Sequence, residues 1–408
     1  MKRNLIAPLN HKFCEAKFIA DRLQRIEDSP TLALAAAAKA LAKSGKAVVD
    51  FTAGEPDAPT PMHIKQAGIA AIEANRTTYT PVAGIPELRA AIAATVNRQR
   101  RTAYQPSQTI VTCGAKHALF NVFQTLCQPG DEVLLISPYW VSFPALVELS
   151  GARPVIVEAR ESDQLIPDPQ AIRLALSKKT KAIVINSPNN PTGAVIDEQR
   201  LTAMAQLARE HDLIVVSDEI YEELVYPPAR HRSIVQVAPE LIDRTILIGG
   251  VSKTYSMTGW RIGYAVGPQA WIDAMITLQS HSTSNPASIS QHAALAALTG
   301  DQHPVQQMRQ EFQQRRDRLV GGLNRLSPLR CSMPDGAFYA WCRVSGLGRS
   351  ASEIAQQWLE QALVVTVPGE GFGSSAHVRF SFATSLETIE EGLKRLGMWM
   401  NQHGDRGQ

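Results

Sequence analysis

The chain of 408 residues is longer than one hydrophobic core normally supports, so we expect two domains. Its 44% hydrophobic and 19% charged residues are typical of a globular protein, and 41 basic against 38 acidic side chains are too balanced for a nucleic-acid-binding surface. Five scattered cysteines without a CxxC motif, no membrane-length apolar run and no secretory leader predict a cytoplasmic protein without a metal.

The beginning of the chain contains no motif that indicates a role for residues 1–20. Two prolines, Pro59 and Pro61, are predicted to mark the passage into a large domain. We therefore expect residues 1–60 to pack with a smaller domain, residues 61–300 to form the large domain, and residues 301–408 to form the smaller one.

The middle of the chain alternates short apolar runs with helical patterns such as Glu198–Glu210. The predicted strands are Thr109–Thr112, Glu132–Ile136, Pro154–Glu158, Ala182–Ile185, Leu213–Val216 and Thr245–Ile248. Any one of these runs is also compatible with a buried helix. Their alternation with helices predicts an α/β fold, in which helices cover both faces of a mostly parallel sheet.

The pattern changes after about residue 300, where we expect a smaller α+β domain. A charged helix is predicted over Met308–Leu326, and it is followed by the aromatic segment Gly336–Trp341. A second helix and a pair of strands, Leu363–Val367 and His377–Ser381, complete this region.

The first motif with a candidate chemical role is Cys113-Gly114-Ala115-Lys116, which joins a predicted strand to a helix. The first N–H groups of a helix have no intrahelical acceptor and can bind a phosphate, which small residues allow to approach closely. By itself the motif is better explained as an ordinary strand-to-helix turn.

The segment Asn186–Gly193 follows the predicted strand Ala182–Ile185 and contains two prolines and a glycine. Ligands of open α/β proteins bind at the carboxyl ends of the strands, where this loop is expected. It is therefore a candidate ligand-binding loop, and the alternative is a rigid turn without a ligand.

The segment Ser217-Asp218-Glu219-Ile220-Tyr221 follows the predicted strand Leu213–Val216. A carboxylate at the end of a buried strand is costly unless it is paired, and a protonated heterocyclic nitrogen is a suitable partner for Asp218. Tyr221 can donate a hydrogen bond to a neighbouring phenolate. The alternative is that Asp218 caps the N-terminus of a helix.

Lys253 lies just after the predicted strand Thr245–Ile248, among small and hydroxyl residues. This position predicts a desolvated and reactive amine. Arg261, eight residues later, can reach a phosphate on the same bound molecule. The alternative is a surface lysine in a turn.

Together, and in this order, the four motifs closely resemble those of fold type I pyridoxal-phosphate (PLP) enzymes, the class I/II aminotransferases. Further segments similar to bacterial aspartate aminotransferases are Ala53–Asp57, Tyr79–Arg89, Ser137–Trp140 and His377–Ser381. The resemblance runs from about residue 21 to about residue 396. It implies a mostly parallel seven-stranded sheet in a large PLP-binding domain, residues 61–300.

The resemblance implies three catalytic residues. Lys253 carries PLP as a Schiff base and moves a proton, Asp218 keeps the pyridine nitrogen protonated, and Tyr221 hydrogen-bonds the ring hydroxyl oxygen. The other residues that it places at the cofactor are Asn190, Trp140 on the ring face and, at the phosphate, Gly114, Ala115, Ser252, Arg261 and Tyr79 of the neighbouring subunit. Some family members have a hydroxyl residue where this chain has Gly250, so one phosphate contact is missing or comes from Ser252.

The resemblance also implies how the substrates bind. Arg379 clamps the α-carboxylate with help from the Gly54 backbone, and Trp140 and Asn190 line the substrate position. Lys116 meets the side-chain carboxylate of an acidic substrate, unless it is only an exposed first-turn lysine or a charge near the phosphate. The expected reaction is a ping-pong transfer between an L-amino acid, aspartate or glutamate, and a 2-oxo acid, in a homodimer that shares its active sites through Tyr79.

Other outcomes on the same scaffold stay open at this point. The enzyme is alternatively an aminotransferase for aromatic amino acids or prephenate, a PLP-dependent C–S lyase, or a cyclase. The stretch Met257–Arg261 and the loop Gly54–Asp57 favour an aminotransferase. A transcription regulator with an aminotransferase-like domain is disfavoured, because only about 20 residues precede the resemblance and the charge is nearly neutral.

Overall fold

The computed structural model describes residues 19–24, 26, 43 and 45–403. In this part of the chain the helices are α1 (Asp21–Gln24), α2 (Met62–Glu73), α3 (Pro86–Arg100), α4 (Ala115–Leu126), α5 (Phe143–Leu149), α6 (Pro169–Ala175), α7 (Glu198–Glu210), α8 (Ile234–Val237), α9 (Gln269–Ser280), α10 (Ser288–Thr299), α11 (His303–Asn324), α12 (Ala351–Gln357) and α13 (Leu386–His403). The strands are β1 (Val49–Asp50), β2 (Thr109–Thr112), β3 (Glu132–Ser137), β4 (Arg153–Glu158), β5 (Thr180–Asn186), β6 (Ile214–Asp218), β7 (Thr245–Gly250), β8 (Gly263–Val266), β9 (Arg330–Cys331), β10 (Tyr339–Arg343), β11 (Val364–Val365), β12 (Val367–Pro368) and β13 (His377–Ser381). No helix in these ranges is long and apolar enough to cross a membrane.

The larger sheet has seven strands in the order β2-β8-β7-β6-β5-β3-β4. Strand β8 is antiparallel to both of its neighbours, and the other strand pairs are parallel. The predicted α/β fold with a mostly parallel seven-stranded sheet is therefore confirmed. Strand β8 was not among the predicted runs, because its four residues contain a single β-branched side chain.

Helices cover both faces of this sheet, which explains why its central strands are apolar throughout. In β5, Ala182 and Val184 contribute to one core together with side chains of α4, α5 and α9. Ile183 and Ile185 contribute to the opposite core together with side chains of α3, α7 and α10. Successive residues of a strand point to opposite faces, so each face of β5 needs its own apolar set.

The strand register brings several chain segments to one edge of the sheet. Asn186 at the end of β5 is paired with Asp218 at the end of β6, and Asp218 is paired with Ile248 in β7. Gly263 in β8 is paired with Gly250 on one side and with Thr112, at the end of β2, on the other. The segments that follow β2, β5, β6 and β7 therefore all start at the carboxyl edge, where ligands of such folds bind.

A second region is built around a four-stranded antiparallel sheet in the order β12-β13-β10-β9. Its core contains Phe312 from α11, Trp358 and Phe380, with Phe51 packed edge-to-face at 5.4 Å from the Phe380 ring. Strand β1 pairs in parallel with β11, so residues 49–51 pack with this region. Residues 1–18, including Cys14, and residues 27–42 lie outside the described residues.

One sequence prediction for this region is wrong. The run Leu363–Val367 was expected to be a single strand paired with His377–Ser381, but it is split between two sheets. Leu363 has a left-handed φ of 53°, β11 pairs with β1, and only β12 pairs with β13. A run of four apolar residues and one threonine does not indicate which neighbour each residue will meet, because that choice depends on residues far away in the chain.

Candidate active site

A cavity of about 550 Å³ lies at the carboxyl edge of the large sheet, and the second region contributes to its wall. Most of the residues predicted from the sequence line it, and these are Gly54, Ala115, Lys116, Trp140, Asn190, Asp218, Tyr221, Ser252, Lys253, Arg261 and Arg379. Gly114 lies directly behind this lining, against Arg261. The tertiary fold thus gathers side chains from segments that are more than 300 residues apart.

Lys253 projects into the cavity just beyond the end of β7. Its Nζ atom donates a hydrogen bond to the carbonyl oxygen of Gly54. Burial lowers the pKa of this amine to about 8, and the Arg379 cation acts in the same direction while Glu55 opposes it. Lys253 is therefore a lysine in a cavity wall, with an amine that loses its proton more readily than an ordinary lysine.

Asp218 ends strand β6 with its side chain in the cavity and is only 4% exposed. Its carboxylate accepts a hydrogen bond from the backbone N–H of Ile220 at 3.2 Å. Burial raises the pKa of Asp218 to about 7, since this one hydrogen bond offsets only part of the lost hydration. The chain continues into a turn and the next helix begins at Ile234, so the reading of Asp218 as a helix cap is wrong.

Arg379 lies on β13 and is 3% exposed. Its Nη1 donates to Oδ1 of Asn190 at 2.9 Å, and its Nη2 donates to the carbonyl oxygen of Thr52 at 3.1 Å. The Nε atom is buried without a hydrogen-bond partner, and none of the described carboxylates forms a salt bridge with this guanidinium. A buried cation without a counter-charge is prepared for an anionic ligand.

The loop before α4 forms a cradle beside Arg261. Gly114 is the N-cap of the helix with φ of 87°, and a Cβ atom at this position would lie 2.4 Å from the Arg261 guanidinium. Only glycine therefore combines this backbone conformation with the close approach of the cation. The Ser252 hydroxyl lies buried in the same wall without a hydrogen-bond partner. First-turn N–H groups, a guanidinium and an unsatisfied hydroxyl together suit a phosphate group.

Lys116 and Trp140 lie side by side at the mouth of the cavity. The Nζ atom of Lys116 is 5.0 Å from the centroid of the Trp140 ring, which is within the range of a cation–π interaction. Lys116 is exposed yet faces the cavity, so its charge is available to a ligand.

Tyr79 is the one predicted site residue that lies away from the cavity of its own chain. Its side chain is 90% exposed, and it is not among the residues that line the cavity. Gln291 from α10 anchors the adjacent loop by donating to the hydroxyl of Thr80 at 3.0 Å and accepting from the N–H of Ile85.

Several cavity residues were not identified from the sequence. Thr52 directly precedes the segment Ala53–Asp57, and Asn186 is the first residue of the candidate ligand-binding loop but was given no role of its own. The side chain of Asn186 donates to the carbonyl oxygen of Asp218. Tyr339 appeared only as part of an aromatic segment, yet its hydroxyl lies 3.0 Å from the hydroxyl of Tyr221. An aromatic pair in a strand is ordinary core composition, so the sequence alone contains no signal that separates Tyr339 from its neighbour Phe338.

Comparisons with known proteins agree with the geometry of this site. The model of the family described as aminotransferase class I and II matches residues 46–396. The aspartate aminotransferase of Bacillus subtilis is 43% identical over 390 residues, which cover 94% of this chain and 99% of that protein. The aspartate/prephenate aminotransferase of Thermus thermophilus is 44% identical and covers 92% of this chain and 97% of its own length. The solved structure of Thermus thermophilus aspartate aminotransferase with maleate has a TM-score of 0.90 at 44% identity, covering 93% of this chain and 99% of that one.

Proposed function

The chain belongs to the class I and II aminotransferases, and we propose that it binds PLP at Lys253 and transfers the amino group of L-aspartate or L-glutamate to a 2-oxo acid. The observation that supports this most directly is one cavity that contains an amine of lowered pKa, a buried carboxylate of raised pKa and a buried guanidinium without a counter-charge. Each of these groups lacks the partner that PLP or an amino acid supplies.

The residues of the cavity fit the cofactor group by group. The Gly114–Ala115 backbone, the Ser252 hydroxyl and Arg261 hold the phosphate, and the flat face of Trp140 suits the pyridine ring. Asp218 pairs with the ring nitrogen, and Asn190 and Tyr221 contact the ring hydroxyl oxygen. When bound, PLP supplies a conjugated ring that accepts the electron pair left behind as the Cα–H bond of the substrate breaks.

The protein side chains then orient the substrate and move its proton. Arg379 binds the α-carboxylate in a bidentate fork and so fixes the Cα–H bond relative to Lys253. Lys253 removes the Cα proton as a general base, for which a pKa of about 8 is suitable near neutral pH. Asp218 would be kept ionised by a protonated ring nitrogen, and this carboxylate would in turn stabilise the ring proton. A second half-reaction in the opposite direction returns the amino group to another 2-oxo acid.

The choice of acidic substrates rests on Lys116. Its amine at the cavity mouth supplies a second cation besides Arg379, so a dicarboxylate is able to contact both. The Thermus thermophilus relative was solved with maleate, which is itself a dicarboxylate. Prephenate is also a dicarboxylate, and relatives named aspartate/prephenate aminotransferase make it a second candidate acceptor.

We also propose a homodimer in which Tyr79 reaches the phosphate site of the neighbouring subunit. Its 90% exposure supports this role, and so does the exposure of Met62, Ile69 and Ile72 on the preceding helix α2. Mixing Tyr79→Phe chains with Lys253→Ala chains tests the sharing, because a mixed dimer then has one intact site. Activity should rise above that of either parent, whereas no rise after subunit exchange would place Tyr79 at its own chain's site.

The same proposal includes the division of the chain into residues 1–60, 61–300 and 301–408. The pairing of β1 with β11 and the place of Phe51 in the core around Phe380 support the assignment of the N-terminal segment to the smaller domain. Limited proteolysis followed by mass spectrometry should give first cuts near residues 60 and 300, and early cuts within the large sheet would contradict these bounds.

Borohydride reduction of the purified protein with PLP tests the proposed function. We expect peptide mapping to find the reduced pyridoxyl group on Lys253, and L-aspartate with 2-oxoglutarate to yield oxaloacetate and glutamate. A pyridoxyl group at another residue would contradict the cofactor assignment. Release of pyruvate and ammonia without an amino acceptor would instead identify a lyase.

A further inference from the structure

Tyr339 connects two parts of the cavity that bind different groups. It lies on β10, is 1% exposed and lines the cavity. Its hydroxyl oxygen is 3.0 Å from the hydroxyl oxygen of Tyr221, and the Arg379 guanidinium carbon is 4.3 Å from the centroid of its ring. Since Tyr339 pairs with Ser381 in β13, Arg379 is its diagonal neighbour on the same face of the sheet.

Either tyrosine can be the donor of the hydrogen bond between them, and a bound cofactor would fix its direction. Burial raises the pKa of both phenols, so each keeps its single proton at neutral pH. If Tyr221 donates its proton to the ring hydroxyl oxygen of the cofactor, its own oxygen is left as the acceptor for Tyr339. The reverse direction would turn the only proton of Tyr221 away from the cofactor.

We infer that Tyr339 is a positioning residue of this active site, which acts in two ways. Its hydroxyl donates to Tyr221 and so directs the proton of Tyr221 at the ring hydroxyl oxygen, and its ring supports the guanidinium of Arg379. This role rests on the proposed binding of PLP. It links the residue that contacts the ring to the residue that binds the substrate α-carboxylate through one rigid, buried side chain.

The physical basis is the fixed orientation of donors in a site of low polarity. A hydroxyl hydrogen rotates freely unless an acceptor and a donor define its direction, and a fixed donor costs no reorganisation during the reaction. Hydrogen bonds in a chain also polarise one another where water is excluded. A guanidinium over an aromatic face is attracted to the ring and keeps its fork directed at the ligand.

The variant Tyr339→Phe keeps the ring and removes the hydroxyl. Without its donor, Tyr221 stabilises the anionic ring oxygen less well, so the bound cofactor holds its proton to higher pH. We expect the pH midpoint of the cofactor's absorption change to rise by about half to one unit, and PLP binding to weaken roughly three- to tenfold. The KM for L-aspartate should change little.

Tyr226→Phe is a matched control. Tyr226 is also fully buried, donates its hydroxyl hydrogen bond to the carbonyl oxygen of Ala337 and has the Arg316 guanidinium 4.7 Å from its ring. It does not line the cavity. This control should lose stability like any buried tyrosine that loses its hydroxyl, while the absorption midpoint and PLP affinity stay as in the wild type.

A double-mutant cycle with Tyr221→Phe tests whether the hydroxyl of Tyr339 acts through Tyr221. In the Tyr221→Phe background, Tyr339→Phe should add no further midpoint shift. Additive shifts would show that the hydroxyl of Tyr339 does not act through Tyr221.

The variant Tyr339→Leu also removes the ring. It should raise the KM for L-aspartate roughly tenfold above that of Tyr339→Phe, because Arg379 loses its support. If Tyr339→Phe leaves the pH midpoint of the absorption change unchanged while borohydride still fixes PLP on Lys253, the inference about Tyr339 is wrong and the proposed function stands. Absence of PLP from Lys253 in the wild type would instead contradict the proposed function.

Discussion

Asp218 and Glu219 are adjacent carboxylates, 4% and 2% exposed, with opposite surroundings. Asp218 faces the cavity and accepts one hydrogen bond from the backbone of Ile220. Glu219 lies on the other side of the strand end, where Nε of Arg100 donates to it at 2.9 Å and the hydroxyl of Ser233 donates at 2.7 Å. Asp218 is therefore available to pair with a ligand, whereas protein donors already satisfy Glu219.

The pKa values follow this difference. Burial raises the pKa of Asp218 to about 7. Burial also opposes the ionisation of Glu219, but Arg100 and the hydrogen bond from His231 outweigh it and hold the pKa of Glu219 well below its ordinary value. Glu219, Glu222 and His231 have ligand atoms within 4.8 Å of one another, but Arg100 donates to both carboxylates, so the cluster is an ion-pair network. Of these two buried carboxylates, the one without a charged protein partner is therefore the one in the cavity, and such groups are typical of functional sites.

The largest expected effect comes from Asp218→Asn. This variant should still bind PLP through Lys253, but turnover should fall by at least 10²–10³-fold, on the order of the loss of one preorganised electrostatic contact. A neutral amide no longer favours the protonated ring nitrogen. Stopped-flow absorption with L-aspartate measures the slowed proton-removal step, and wild-type rates would mean that Asp218 is not a ligand of the cofactor.

Glu219→Gln should affect stability much more than the chemistry. It leaves Arg100 buried with only Glu222 as its anionic partner, and breaking a buried ion pair costs about 3–5 kcal/mol. Urea unfolding of the cofactor-free protein measures the free energy of unfolding. Glu390→Gln, in the exposed pair with Arg318, is the control and should have no measurable effect. If Glu219→Gln is as stable as the wild type but loses most of its turnover, Glu219 serves the chemistry as Asp218 does, and the division of roles between the two carboxylates is wrong.

The stability of the cofactor-free protein should depend on pH through Asp218. The pKa is raised from 3.8 to about 7 on folding, so the folded state holds a proton that the unfolded state releases above pH 4. This contribution to stability is complete below about pH 4 and is lost as the pH rises through 7, and it amounts to about 2–4 kcal/mol. Asp218→Asn should therefore be more stable than the wild type at pH 8, and the two should converge toward pH 4. Parallel curves would show that Asp218 is ionised in the empty site.

Lys116→Ala tests a cation of the same cavity and has the smallest expected effect. With L-aspartate or L-glutamate, kcat/KM should fall by a factor that corresponds to a loss of about 1.5–3 kcal/mol in transition-state binding, as for one charge-assisted hydrogen bond. With L-alanine or L-phenylalanine the change should be far smaller, because these substrates have no side-chain carboxylate. Lys394→Ala, an exposed lysine on α13, is the control. Equal losses for both substrate classes would indicate that Lys116 serves the phosphate or the fold.

The patterns of the sequence determined the fold class and the positions of Asp218 and Lys253. Gly54, Trp140 and Arg379 were expected only from the resemblance to the aminotransferases. Apolar strands separated by helical patterns are sufficient to predict a covered parallel sheet, because a strand buried on both faces must be apolar at every position. Asp218 and Lys253 were identified because polar residues directly after such strands must lie at the carboxyl edge. These inferences use only neighbours in the chain and one rule of sheet topology.

The tertiary structure decided which buried side chains are paired with residues far away in the chain. Glu219 is satisfied by Arg100, which lies 119 residues earlier, and Tyr339 meets Tyr221 across 118 residues. Whether a buried carboxylate is paired or left free is a property of the three-dimensional neighbourhood, and adjacent residues on a strand face different neighbourhoods. The sequence therefore identified Asp218 as a residue at the carboxyl edge of the sheet. Only the packed structure showed that Asp218 has no charged protein partner, whereas Glu219 beside it is ion-paired and stabilises the fold.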